Sequence, residues 1–159
     1  MAVAQKTLER PAALKWVKAY SYLTLGAVLY GLAWAHLPYL VGQPWSTCGQ
    51  GGAASGCVLA LHLFEVPPVL FHAYVAWYGL RRFSPAVVRP YGALLTFAAA
   101  FNFVCFAFEV NVLLAGLQRQ APGWEVFGLT SIALVFGGGA GLAVYVNQLL
   151  TSACSDRKN

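Results

Sequence analysis

From Pro90 to Leu117 the sequence carries a single charged residue, Glu109. About 20 consecutive apolar residues are enough for a helix to cross a bilayer, and this stretch is longer. Three further runs of similar character occupy residues 20–42, 58–80 and 124–151. Hydrocarbon offers the backbone no hydrogen-bond partners, so each run must satisfy its own amides as a helix. The expected fold is therefore all-α, a polytopic four-helix transmembrane bundle over residues 20–152 whose core is the packing of helix on helix. Composition agrees, because 59% of the 159 residues are hydrophobic and 9% are charged, against about 25% charged in soluble domains.

The first run does not read as a cleavable signal. About twenty residues precede it, and it exceeds the roughly 7 to 15 apolar residues of a signal peptide. Residues 1–19 read instead as an amphipathic cytoplasmic lead-in, with Pro11 suited to its first helical turn. Residues 153–159 form a short tail.

Basic residues set the orientation. Lys6, Arg10, Lys15 and Lys18 precede the first run, Arg81, Arg82 and Arg89 lie between the second and third, and Arg157 and Lys158 follow the fourth. Nine of the ten thus fall on one side and only Arg119 on the other, which places both termini in the cytoplasm. The net charge of +5 is accounted for by this asymmetry and does not call for a nucleic-acid partner. Membrane lipid and another membrane protein are the expected partners, in the endoplasmic reticulum or plasma membrane.

With this orientation the segment QPWSTCGQGGAASGC faces an oxidising compartment, and a disulfide between Cys48 and Cys57 is expected there. Phosphate-cradling loops, zinc-protease and nucleophile-elbow motifs are absent, as is CxxC. No metal or cofactor is expected, and no catalytic residue is assigned.

Chemistry, if present, lies inside the membrane. On a helix, His62, Glu65 and His72 fall within about 80° of one another. Asn102, Cys105 and Glu109 share a face of the third run, while Asn111 points elsewhere. Counting 1.5 Å per residue puts Glu65 and Glu109 about 10 to 12 Å below the outer ends of their helices, and His72 and Asn102 about 21 to 22 Å. His36 and His62 lie about 6 to 8 Å down. A carboxylate facing lipid costs about 2.5 to 3.5 kcal/mol on insertion scales, so Glu65 and Glu109 are expected inside the bundle, with His62 and His36 nearby. Such a cluster has several open roles: a hydrogen-bonded contact fixing helix register, a pocket for an amphiphile, or a proton shuttle. The spacing of His62 and Glu65 matches no recognised metal-ligand motif.

Pro67 and Pro68 interrupt the donors of the second run and suggest a kink between Glu65 and His72. Ala133, Gly137 and Gly141 recur every four residues and form a face that a helix can approach closely, either the first run or another protein.

AHLPYL in the first run, a glutamate early in the second, and PAVV followed by CFAFE in the third resemble the EXPERA-domain proteins, which include sterol isomerases and the sigma-2 receptor. The resemblance implies a pocket toward the lumenal half in which Glu65 and Glu109 grip a sterol-like or cationic amphiphile. The chain departs from that family in its cysteine-bearing first outer segment and in lacking an acidic residue in its first run. In topology it is equally similar to claudin-type and MARVEL-type tetraspans, without the claudin signature. The expected function is that of a small scaffold or auxiliary subunit, more consistent with a non-enzyme, and the alternative is an EXPERA-like sterol or lipid binder or isomerase.

Overall fold

In the computed structural model the described residues are 2–42, 54–81 and 88–155, with side chains described over 13–38, 40–42, 66–80 and 89–153. They form four helices and nothing else regular: α1 (Ala2–Leu40), α2 (Ala54–Arg81), α3 (Val88–Gln118) and α4 (Gly123–Ser155). The expected disulfide between Cys48 and Cys57 lies outside the described residues.

The helices cover the four apolar runs and overshoot most of their ends by a few residues. At 1.5 Å per residue even α2, with 28 residues, is about 42 Å long, beyond the ~30 Å hydrocarbon core. Two helices, Arg89–Gln118 and Gly123–Ala153, are long and apolar enough to cross a membrane. A buried core helix of a soluble protein could match them in length. Here, however, only 17% and 22% of their most apolar windows are buried, so that alternative does not fit.

α1 runs from Ala2 through Pro11 to Leu40 as one helix, so the lead-in segment and the first apolar run belong to the same helix. A proline removes one backbone donor and bends a helix more readily than it ends one when good helix formers flank it. α2 likewise continues through Pro67 and Pro68.

The helices stop where their caps say they should. Gly42 takes φ 72° just beyond α1, and Val41 N–H still reaches the Leu37 carbonyl at 3.1 Å. At the end of α3, Gln120 adopts φ 57°, Gln120 N–H donates to Leu117 and Ala121 N–H donates to Gly116 at 3.0 Å. These two bonds are a Schellman closure, which turns the chain within residues 119–122 and sends α4 back along α3.

Neighbours in the ring are α1 with α2, α2 with α3, α3 with α4 and α4 with α1. The α3–α4 hairpin is the most extensive contact and α2–α3 the slightest. Two ring contacts, Trp16 to Tyr145 and Trp34 to Phe127, and a hydrogen bond from the Tyr30 hydroxyl to Ser131 Oγ set one register between α1 and α4. Each step up α1 is matched by an equal step down α4, so the two are antiparallel along most of their length. The best-packed core, including Val17, Val75, Leu95, Ala98, Ala143 and Val146, sits in the half of the bundle that bears the two chain ends.

Outside, the molecule is apolar. Leu29, Leu70, Phe103 and Leu134, one from each helix, are 63%, 64%, 64% and 68% exposed. Inside, Ser21, Thr24, His72, Asn102 and Glu125 are buried. Soluble monomers rarely expose contiguous apolar surface on this scale, whereas a helix bundle in lipid must.

Candidate functional site

The polar groups fall into three levels. At the centre, His72 of α2 and Asn102 of α3 are buried and within hydrogen-bond reach of each other. The Asn102 amide nitrogen donates to the Ala98 carbonyl one turn earlier at 2.7 Å. His72 Nδ1 is buried without a partner.

α4 completes this level. A β-carbon on Gly139 would stand 3.3 Å from Asn102 Oδ1, so glycine admits the amide against the α4 backbone. Phenylalanine rings enclose the imidazole: Phe71 at 5.6 Å, Phe101 at 5.9 Å and Phe136 at 6.3 Å between centroids. Phe71 and Phe101 also touch each other at 5.0 Å. The result is one hydrogen-bonded pair in an aromatic sleeve, joining three helices. Leaving either member unpaired in such surroundings costs about 1 to 3 kcal/mol, so the pair strongly favours one helix register.

Nearer the chain ends, Gly79 of α2 lies flat against Ser21 of α1 and Tyr91 of α3; a β-carbon there would collide with Ser21 Oγ and stand 2.7 Å from the Tyr91 hydroxyl. Tyr91 stacks on Tyr78 at 5.8 Å with planes 5° apart. Ser21 and Thr24 return their hydroxyls to the carbonyls of Val17 and Tyr20 at 2.9 and 2.8 Å. This polar girdle escapes a reading of the sequence that searches for ionisable groups. Its available signal is the glycine, the one residue that lets three helices close on hydroxyls.

The outer level holds the acidic residues. Glu109 and Cys105 of α3 are half-buried one turn apart, as is His36 of α1, and Cys105 is a free thiol. Asn111 is exposed and bonds its own helix at the Ala107 carbonyl, 2.7 Å away. The side chains of His62 and Glu65 lie outside the described residues. Helix register still bears on them. Ser21 opposes Gly79, and extending that antiparallel register up α1 brings His36 level with the α2 position of Glu65. Extending the α2–α3 register from the Tyr78–Tyr91 and His72–Phe101 contacts brings Glu109 level with the turn from His62 to Glu65.

Glu125 is a carboxylate that the sequence reading does not single out. It is fully buried in the first turn of α4, where its own N–H bonds the Pro122 carbonyl at 2.9 Å. The positive end of the helix dipole favours a carboxylate there, and an acidic residue just after Pro-Gly was the available signal.

The small-residue face of α4 divides. Ala133 is buried, and a β-carbon on Gly137 would touch the Phe106 ring of α3 at 3.2 Å. Gly141, expected on the same face, is exposed with open space around it. A spacing of four drifts about 40° per step on a straight helix, so the third member leaves the contact. The neighbour met by Gly137 is α3, not α1. Among the described residues, no three metal-ligating side chains come together.

Comparison with family models, with curated proteins and with solved structures returns no match.

Proposed function

We propose that the chain is a four-span integral membrane protein with cytoplasmic termini that works as a small scaffold or auxiliary subunit through helix-helix packing. The observation that carries this reading is the filled centre. The His72–Asn102 pair is closed in by Phe71, Phe101, Phe136 and Gly139, an arrangement that joins helices and leaves the imidazole no room for a substrate. The apolar exterior on all four helices supports residence in lipid, and the basic residues support the orientation.

The alternative, an EXPERA-like sterol or lipid binder, rests on Glu65 and Glu109. The register that brings Glu109 level with the Glu65 turn keeps it open. A lipid and sterol mass-spectrometry profile of the purified protein in native-like membranes separates the two. A scaffold carries sterol at its bulk membrane proportion. Enrichment of a sterol that is lost in Glu65→Gln or Glu109→Gln would replace the scaffold with the pocket.

A further inference from the structure

A cleft of about 280 Å³ lies between α1 and α2, lined by Leu25, Val28, Leu29, Ala73, Trp77 and Leu80. Every lining side chain is apolar apart from the indole nitrogen of Trp77. A cleft this size falls just below the ~300 to 1,000 Å³ of pockets that enclose a drug-sized ligand. It suits a length of flexible hydrocarbon chain better than a rigid fused-ring molecule.

What stands at its mouth is basic. Lys18, Leu25 and Leu29 are seven and eleven residues apart on α1 and so lie on one stripe within about 40°. Lys18 is exposed and sits about 10 Å from Leu25 along the helix, toward the chain ends. Because Ser21 opposes Gly79, Lys18 is level with the end of α2. Tyr22, 66% exposed, lies on the same side of α1 between the lysine and the cleft. An apolar slot below, an amphipathic ring between and a cation above reproduce, in order, the layers of one half of an anionic phospholipid.

We propose that this cleft binds one anionic phospholipid of the cytoplasmic leaflet, with an acyl chain against Ala73 and Leu29 and the phosphate headgroup at Lys18. The proposal rests on the four-span orientation, which puts this end of α1 and α2 at the cytoplasmic surface. Leu29 and Trp77 are partly exposed on the free protein because the lipid chain is what covers them.

The test uses the full chain reconstituted in nanodiscs containing equimolar phosphatidylserine and phosphatidylcholine with identical acyl chains, then released into mild detergent for native mass spectrometry. One tightly held lipid is expected, with phosphatidylserine preferred about fivefold for the one cation Lys18 contributes. Lys18→Gln, a change at an exposed site, should bring the ratio close to one while lipid is still retained. Ala73→Phe should lower retention of both lipids by filling the slot. Thermal unfolding checks that variant, and Leu29→Asn, at a side chain already mostly exposed, tests the same slot without repacking. Equal retention of the two headgroups, a ratio unchanged by Lys18→Gln, or retention unchanged by both slot variants overturns the proposal. Alkaline carbonate extraction run alongside tells the two failures apart: release from membranes defeats the four-span reading, and firm residence with unselective lipid defeats only the cleft.

Discussion

His72 on α2 pairs with Asn102 on α3 in the middle of the bundle, and the Asn102 side chain lies against the bare backbone of Gly139 on α4. Three consecutive helices are thereby tied at one depth. Asn102→Leu should destabilise the protein by about 1 to 3 kcal/mol, because it strands the His72 imidazole among phenylalanines. His72→Phe combined with Asn102→Leu should recover much of that loss, since a packed apolar pair can replace a buried polar one. Thermal unfolding in detergent of the single and double variants gives the coupling. Additivity within about 0.5 kcal/mol would mean that the two side chains act independently.

Gly79→Ala puts a methyl into Ser21 Oγ and the Tyr91 hydroxyl. A loss of about 1 to 3 kcal/mol is expected from overpacking. Gly26→Ala and Gly31→Ala meet nothing within 4 Å and should be neutral or slightly stabilising, by up to about 1 kcal/mol through helix propensity. Equal melting temperatures for Gly79→Ala and Gly26→Ala would contradict the close approach of α1, α2 and α3.

Phe106 and Gly137 face each other closely enough to be joined. The β-carbon position on Gly137 is 3.8 Å from Phe106 Cγ, which is one bond from the Phe106 β-carbon, so the two β-carbons stand near the ~3.5 to 4.5 Å span of a disulfide. In a chain whose native cysteines are replaced by serine, Phe106→Cys with Gly137→Cys should cross-link on mild oxidation. Phe106→Cys with Gly138→Cys, whose glycine faces open space, should not. Gel mobility after limited proteolysis between α3 and α4 distinguishes them, and the reverse pattern would rotate α4 away from the stated face.

Topology is tested by thiol labelling in intact membranes. Cys154 should react from the cytoplasmic side, and Cys48 and Cys57 should resist labelling from the opposite side until reduced. Free thiols at both outer positions would remove the disulfide. Labelling of an engineered cysteine in the RRFSPAVVR segment from outside would reverse the orientation.

The outer acidic level makes its own prediction. If Glu65 and Glu109 meet, Glu→Gln at either should be tolerated, because a polar partner remains. Glu→Leu at one should cost about 1 to 3 kcal/mol, and the double Leu variant should recover part of it. Stability of the four variants in detergent decides. No coupling beyond about 0.5 kcal/mol would place the carboxylates apart.

Length and hydropathy were enough to read four helices from the sequence, because a run of apolar residues can satisfy its backbone only within itself. Helical periodicity was enough to put Asn102 on one face of α3 and Asn111 on another, since the 100° step is a property of the chain alone. A shared depth for His72 and Asn102 followed from rise per residue and a short connection between their helices.

Which faces meet was decided only in three dimensions. These helices are apolar nearly all round, so no amphipathic stripe marks the inward side of each. Gly139, not Gly141, faces Asn102, and Gly137 finds Phe106 because a ring on one helix and a missing side chain on its neighbour fit together, a match that no local pattern encodes. Glu125 is buried because the tight Schellman turn folds the first turn of α4 back against the bundle. Hydrophobic length is a property of one segment, whereas shape complementarity exists only between segments already brought together.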